Sequence, residues 1–390
     1  MICMIFPVWH VRCYGSFDPL STETFMPHSL PQALLIQAQT RNRQIALRYK
    51  KLGIWKTRTW GEVAQDADHL AEALHLKGFK ATDCLLIISE ANAEALLLTL
   101  AAQALGGSVS LIEPSMDHRH WLAKVKPRYA VVQNLELVAQ LSDAEPDVVI
   151  VLDDRGLHDA KDARLVDYAE LLKPAAKGIR KPLIDAAACA FVFQTPQGEQ
   201  RLTHADLLNG ARQLIDIQAI TERDQALAAR VFAASGQARY LLAPWLVAGF
   251  CLNFPESLST LDNDRRELGP TLVLGTRESY ARLELWARER LPLPGTFAHA
   301  LYRWAMVPAQ GVIRRQFGYW LIRRPLLDVL GMSSLSKPLL AGEALTPQSH
   351  AFFAALGILP RPLNTAAQVK PMLEAAIDGY QLPVLLGASA

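Results

Sequence analysis

Residues 191–204 read FVFQTPQGEQRLTH, and this stretch shows the unit from which the fold is built. The apolar run at its start is typical of a buried strand, and the Leu-Thr-His at its end is typical of a helix start with Thr203 as the N-cap. A buried strand followed by a turn and a helix is the repeating unit of α/β proteins. We therefore predict a strand over 188–193 and a helix over 203–217.

The middle of the stretch lacks the residues that usually hold a phosphate group. A phosphate-binding loop between a strand and a helix is rich in Gly, Ser, Thr and Lys, because these supply accessible backbone N–H groups and a cation. Residues 194–201 hold one Gly, one Pro, the anionic Glu199 and no Lys. We expect a shortened connection that keeps the fold and has lost the phosphate site.

The composition excludes several classes of protein. The chain has 390 residues, of which 51% are hydrophobic, enough for a large core and for two or three domains or subdomains. The net charge of +2 gives no electrostatic reason to expect nucleic acid as a partner. Five scattered cysteines without a CxxC pair predict neither a zinc site nor a disulfide framework, which favours a cytoplasmic location. The sequence shows no transmembrane segment and no signal-peptide pattern.

Apolar runs alternate with helical periodicities along the rest of the chain. Predicted strands at 84–89, 109–112 and 148–152 are separated by helices that begin at N-caps such as Asn92. Such alternation indicates a parallel sheet covered by helices on both faces, and the pattern restarts near residue 180. We predict an α/β fold of two doubly wound subdomains, at 29–180 and 181–390, behind a disordered tail at 1–28.

Five groups of residues, in chain order, resemble the AMP-forming acyl-CoA synthetases. The resemblance is to the long-chain fatty acid–CoA ligases within the adenylate-forming ligase superfamily. The segments are ALRYKKLGIWKTRTWGEV (46–63), AAQALGG (101–107), NFPES (253–257), RELGPT (266–271), and AGEAL (341–345) with FFAALGI (352–358).

The resemblance implies a known fold and a known chemistry. The fold would be the two α/β subdomains of the large N-terminal domain, with the small C-terminal domain absent from this truncated member. In the family, a fatty carboxylate attacks the α-phosphate of ATP in the presence of Mg²⁺, and coenzyme A then displaces AMP from the acyl-adenylate. ATP or AMP, Mg²⁺ and coenzyme A are therefore expected here only if that activity is retained.

The chain departs from the family at the residues that carry this chemistry. Gln197 stands where the phosphate motif has Lys, and residues 363–368 match the adenine motif only at Thr365, without its Glu. We expect no catalytic residue and no metal ligand. The remaining site residues would be a vestigial nucleotide site and two substrate contacts: Thr195, Gly198, Thr203 and Thr365 for the nucleotide, and Trp245 and Gly342 for the substrate.

These losses on a preserved scaffold lead to a functional hypothesis with open alternatives. We expect a catalytically inactive, acyl-CoA synthetase-like protein with a binding or regulatory role in fatty-acid activation. Its partners would be an intact acyl-CoA synthetase, a second copy of the chain or a fatty acyl ligand. One alternative is an active long-chain fatty acid–CoA ligase that works with a partner chain. Another is a peripheral membrane protein that binds lipid through residues 302–326.

The segment 297–332 is the basis of the membrane alternative. It mixes arginines with aromatic residues: Arg303, Arg314, Arg315, Arg323 and Arg324 among Tyr302, Trp304, Phe317, Tyr319 and Trp320. A basic amphipathic element at a membrane surface would place the two types on opposite faces. Because the separation is incomplete, we predict a helical hairpin with packed aromatics and solvated arginines.

Three further residues have competing interpretations. His204 could lie near a ligand, but its place after an N-cap predicts a surface residue in the first turn of a helix. Glu256 could face a cleft or be a solvated carboxylate at a strand end. Asp153 follows a strand, where a turn is more common than a metal site.

Overall fold

The structure is a computed structural model that describes residues 26–114, 122, 126–141, 144–173, 182–195, 198–228, 237–306 and 316–363. Two seven-stranded sheets organise these residues. Most of their strands are short apolar runs that are buried along nearly their whole length. That pattern is typical of parallel sheets covered on both faces. The α/β fold class predicted from the sequence is confirmed.

The first sheet has the order β7-β6-β5-β3-β4-β8-β9. Its neighbours are parallel except for the antiparallel pair β8 and β9 at one edge. The strands are β3 (Cys84–Ile88), β4 (Ser108–Ile112), β5 (Tyr129–Val132), β6 (Val148–Val151), β7 (Leu165–Asp167), β8 (Cys189–Thr195) and β9 (Gly198–Thr203).

The second sheet has the order β14-β13-β12-β10-β11-β1-β2. Here the antiparallel edge pair is β1 and β2, and all other neighbours are parallel. The strands are β1 (Ile45–Lys51), β2 (Ile54–Thr59), β10 (Gln225–Leu227), β11 (Cys251–Phe254), β12 (Leu272–Gly275), β13 (Lys337–Leu340) and β14 (Arg361–Pro362).

Helices connect and cover these strands. The α-helices are α1 (Leu30–Thr40), α2 (Trp60–Leu76), α3 (Ala93–Ala104), α4 (Tyr168–Leu171), α5 (His204–Gln218), α6 (Ala243–Ala248), α7 (Leu261–Leu268), α8 (Arg277–Arg288), α9 (Phe297–Met306), α10 (Arg324–Val329) and α11 (Pro347–Leu356). The π-helical turns Ala238–Leu242 and Tyr319–Arg323 lead into α6 and α10. Two 3₁₀ helices cover Leu135–Leu141 and Leu157–Asp159. Within the described ranges, no helix has the length and apolar character needed to cross a bilayer.

Each sheet takes strands from both sides of residue 180. The β1–β2 hairpin precedes residue 180, yet Leu47 of β1 pairs with Leu252 of β11 in the second sheet. The β8–β9 hairpin follows residue 180, yet Phe191 of β8 pairs with Val109 of β4 in the first sheet. Sheet membership therefore does not follow chain order, and the domain boundary near residue 180 stays a prediction.

One hydrophobic core joins the two sheets. Helix α3 contacts β3 and β4 of the first sheet and β1 of the second, and it is buried all round. Trp60 on α2 stacks on Trp245 of α6 with ring centroids 4.7 Å apart. The indole N–H of Trp245 donates to the carbonyl of Ala46 at 2.9 Å, which ties α6 to β1. The packed helices between the sheets make them one folded unit.

Two expectations about local structure are wrong. Residues 198–201 were expected in a connecting loop, but they form part of β9, because the chain turns within two residues and pairs back on β8. The aromatics of 297–332 were expected to pack, but Phe297 is 85% exposed and Trp320 is 56% exposed. The helical hairpin itself is present as α9 and α10, apart from residues 307–315, which lie outside the described residues.

Candidate functional site

Within each sheet the parallel strands have their carboxyl ends on the same side, and we call these two sides together the carboxyl edge. Ligands of open α/β sheets bind outside the carboxyl ends of the strands. Leu258, in the loop after β11, donates its N–H to the carboxylate of Glu90, in the loop after β3, at 3.2 Å. This contact joins the carboxyl ends of the two sheets. The carboxyl edge is therefore the candidate functional site.

The β8–β9 hairpin brings its turn to the carboxyl edge, because β8 runs parallel to β4. The two strands pair as far as Thr195 and Gly198, so only residues 196 and 197, which lie outside the described residues, remain for the turn. Gly198 has a φ of +125°, a conformation that other residues adopt only under strain. Glu199 comes next, and its exposed carboxylate accepts a hydrogen bond from Arg201 at 2.7 Å. The hairpin presents a paired carboxylate where a phosphate loop would present a cation.

Thr203 lies at the opposite end of the hairpin from Gly198. Four residues of β9 lie between them, and the five steps along the extended strand span about 17 Å. The Thr203 hydroxyl accepts the N–H of Asp206 at 3.1 Å, and the Asp206 carboxylate accepts the N–H of Thr203 at 3.1 Å. This capping box begins α5, as the sequence predicts for Thr203 as an N-cap. The structure does not bring Thr203 together with Gly198 or Thr195.

His204 is buried, so its predicted position on the surface is wrong. The side chain is 1% exposed, and its Nδ1 accepts the N–H of Leu30 at 3.3 Å. Burial lowers the pKa of His204 to about 4, because desolvation penalises the charged ring. The ring is therefore neutral at physiological pH. It bonds the start of α5 to the start of α1, and it lies away from the carboxyl edge.

The two predicted substrate contacts occupy different environments. Trp245 is fully buried, and both its ring face and its N–H are used within the core. Gly342 lies just after β13 at the carboxyl edge, with a φ of +85°. The predicted Thr365 lies outside the described residues. Of the predicted site residues, only Gly342, Thr195 and Gly198 therefore lie at the carboxyl edge in the described structure.

The carboxyl edge of the second sheet carries an ion pair that the sequence analysis missed. Arg277, the first residue of α8, follows β12 and pairs with Glu343, which follows β13. Both side chains are exposed to solvent. No local pattern in the sequence marks this pair, because it forms only when the parallel strands β12 and β13 lie side by side.

Glu256 has a structural role that neither of its interpretations anticipates. Its carboxylate accepts the N–H groups of Leu52 at 2.7 Å and Gly53 at 3.0 Å, so it closes the β1–β2 turn. The backbone N–H of Glu256 donates to the buried Asp264 at 2.9 Å. Asp264 also accepts from Lys50 of β1 at 2.8 Å. These bonds hold the hairpin to the segment that follows β11.

Among the described residues at the carboxyl edge, carboxylates already pair with the arginines that a triphosphate would need. The cations Arg277, Arg201 and Arg155 are each paired with a carboxylate, and the partner of Arg155 is Asp153, in the turn predicted for it. In the part of the chain that the structure describes, no group of three acidic, histidine or cysteine side chains could hold a metal ion. A triphosphate beside Glu199 would meet like charge.

Comparisons with known proteins agree on the fold. Residues 34–196 match the family model described as AMP-binding enzyme. The structure is similar to the fatty acid AMP ligase from Legionella pneumophila, with 12% identity and a TM-score of 0.60 over 87% of this chain and 54% of that one. It is also similar to MatB from Rhodopseudomonas palustris, with 15% identity and a TM-score of 0.64 over 88% of this chain and 60% of that one.

A third similar structure is the O-succinylbenzoate coenzyme A synthetase MenE from Bacillus subtilis. It has 18% identity and a TM-score of 0.57 over 84% of this chain and 57% of that one. This chain thus spans between 54% and 60% of the length of the three structures. A search of the curated proteins found no match.

Proposed function

We propose that this chain is a non-catalytic protein. It has the fold of the adenylate-forming ligases, and its residues 34–196 match their AMP-binding family. It binds an acyl ligand or an intact acyl-CoA synthetase and acts in fatty-acid activation through that binding. The fatty-acid class rests on the resemblance of 253–257 and 266–271 to long-chain ligases. The known structures with this fold act on chemically different acids, so the fold alone does not select the acid.

The observation that carries the proposal is the closure of the β8–β9 hairpin. Its strands pair up to Thr195 and Gly198, so residues 198–201 lie in a paired strand where a phosphate loop would be open. The next side chain, Glu199, is anionic. Electrostatic stabilisation of a reacting phosphate needs donors and cations that face it, and this tip offers a carboxylate.

The preserved core supports a binding role. The contact between Leu258 and Glu90 joins the two sheets at the carboxyl edge. Apolar strands and capped helices form the core behind it. Adenylate chemistry has specific electrostatic requirements, whereas a binding role needs only a stable surface.

The test is a calorimetric titration of the full chain with ATP and with AMP, with and without Mg²⁺, beside an assay for acyl-CoA formation from palmitate. We expect no acyl-CoA and no Mg²⁺-dependent ATP binding. An intact synthetase serves as the positive control. Acyl-CoA formation above the enzyme-free blank would show that the proposal is wrong.

Two charge-reversal variants test whether the hairpin is a vestigial phosphate site. Glu199→Lys should increase ATP affinity several-fold, because a carboxylate at the tip becomes a cation. Glu222→Lys makes the same change at an exposed position between α5 and β10 and should have little effect. Equal effects of the two reversals on ATP affinity would show that the hairpin has no specific role in nucleotide binding.

A second candidate is an active long-chain ligase that works with a partner chain. The observation in its favour is that the AMP-binding family match extends to residue 196, at the end of β8. Pyrophosphate exchange into ATP, measured with and without an intact synthetase, distinguishes the two candidates. Exchange above the sum of the separate proteins would favour the ligase.

A further inference from the structure

The helical pair formed by α9 and residues 316–329 carries an exposed aromatic patch. We define the patch as Phe297, Trp304, Phe317, Tyr319, Trp320 and Leu321, all of which are exposed. Large apolar side chains that cluster on a surface mark an interaction site more often than singly exposed ones do. The patch is therefore a candidate interaction surface.

The patch stands on closely packed helices. Gly318 approaches α9 so closely that a Cβ there would lie 3.3 Å from the Cα of Ala305. Arg323 donates two hydrogen bonds, at 3.0 and 2.8 Å, to the carbonyl of Ala305 near the end of α9. These contacts fix the two helices against each other, so the exposed rings are held in place on a packed support.

The charged side chains of the helical pair are mostly positive. Residues 297–306 and 316–329 include three arginines and one acidic residue, Asp328. Arg303 and Arg324 are exposed, and the Arg324 guanidinium lies 4.5 Å from the centre of the Trp320 ring. An arginine over a tryptophan keeps its charge available to an anion on its other side. The patch thus combines apolar rings with cations, which suits an anionic and partly apolar partner.

An apolar cavity of about 350 Å³ lies beside the patch. It is partly open to solvent and is lined by the end of α8 and the residues after it, by Tyr302 of α9 and by residues 321–330. Leu321 belongs both to its wall and to the patch. Most of the lining is aliphatic: Leu291, Leu321, Ile322, Leu326, Val329 and Leu330. The volume is at the lower end of the roughly 300–1,000 Å³ typical of small-molecule sites. A single hydrocarbon chain matches both its size and its lining.

We propose that the aromatic patch docks on an anionic lipid bilayer and that the adjacent cavity receives an acyl chain of a lipid in that surface. Tryptophan, phenylalanine and leucine enter the boundary between headgroups and acyl chains, and arginines attract anionic headgroups. The patch supplies both kinds of side chain within one helical pair. This inference does not depend on the proposed non-catalytic role.

The test is co-sedimentation of the full chain with vesicles at low and at high salt. Vesicles of equal parts phosphatidylcholine and phosphatidylglycerol should bind the protein, and vesicles of phosphatidylcholine alone should bind it weakly. High salt should release it, because screening weakens attraction to the headgroups. The double variant Phe317→Ser and Trp320→Ser should lose binding, and Arg303→Glu with Arg324→Glu should weaken it at least about tenfold.

Matched control variants outside the patch show whether the loss of vesicle binding is specific to the patch. Leu183→Ser and Ile217→Ser remove exposed aliphatic side chains, and Arg223→Glu reverses an exposed charge, all outside the helical pair. They should bind vesicles like the wild type, and circular dichroism melts confirm that each variant folds. Equal losses in patch and control variants would overturn the proposal. So would self-association of the wild type, lost in the patch variants, without vesicle binding, since that result assigns the patch to a second copy of the chain.

Discussion

His204 shows how a single buried side chain couples folding to pH. Its Nδ1 accepts the N–H of Leu30, so the ring must be unprotonated at that nitrogen for the bond to form. Burial of the ring lowers the pKa of His204 to about 4. A folded-state pKa below the unfolded value means that the unfolded chain binds the proton first as the pH falls.

Stability should therefore fall in acid through this one residue. The contribution of His204 is complete above the ordinary histidine pKa of about 6.5 and is lost progressively as the pH drops to about 4, up to about 3 kcal/mol. His204→Asn keeps an acceptor for Leu30 but does not titrate, so it should lose less stability over this window. Urea unfolding at several pH values measures the difference. His158→Asn, at an exposed histidine, should retain the wild-type pH dependence.

Asp264 is a second residue whose effect can be predicted. Burial by itself would raise the pKa of Asp264, but hydrogen bonds from Lys50, Thr260 and the N–H of Glu256 outweigh it and lower the pKa. Asp264→Asn removes one of the two carboxylates that pair with Lys50, the other being Glu267 at 2.6 Å, and should cost about 2 kcal/mol. Asp162→Asn breaks an exposed pair with Arg164 and should cost less than about 1 kcal/mol. Similar losses of unfolding free energy in the two variants would contradict this account of the Lys50 network.

At the scale of secondary-structure elements, local signals predict helix starts better than strand pairing. Asn92 and Thr203 both cap helices as the sequence indicates, because the capping bond forms within a few residues. Strand β9 could not be predicted in this way, because its polar residues 198–201 resemble a loop until they pair with β8. The Arg277–Glu343 pair likewise depends on strand order, which no local pattern encodes.

The cap of α5 gives a prediction at this scale. Thr203→Ala removes the hydroxyl that accepts the Asp206 N–H and should lower the unfolding free energy by about 1 kcal/mol. Thr203→Ser keeps the acceptor and should lose much less. Urea denaturation compares the two. If both variants are as stable as the wild type, the capping bond contributes little, and a ligand-binding role for the hydroxyl becomes more attractive.

At the scale of the whole molecule, the sheets exchange strands across the middle of the chain. The second sheet needs β1 and β2 from before residue 180, and the first sheet needs β8 and β9 from after it. The sequence predicts the α/β fold class correctly. It could not predict this exchange, because the pairing of Leu47 with Leu252 is a tertiary contact without a local signature.

Fragments provide the test of this architecture. Because each sheet would lack an edge hairpin, residues 26–180 and residues 181–363 should each fail to fold when expressed alone. Co-expression should restore folded material that purifies as a complex of both fragments. Circular dichroism and a cooperative melt are the readouts. An independently folded fragment with a sharp transition would support the boundary near residue 180 as a true domain boundary.

The pairing of β1 with β11 also has a consequence for folding during translation. Leu47 leaves the ribosome about 200 residues before its partner Leu252, which at roughly 5–20 residues per second is a delay of about 10–40 s. During that interval the β1–β2 hairpin has no neighbour in the second sheet, and the edge of β1 is open to other nascent chains. Newly made copies should therefore depend on chaperones that hold the first half of the chain until the second half arrives.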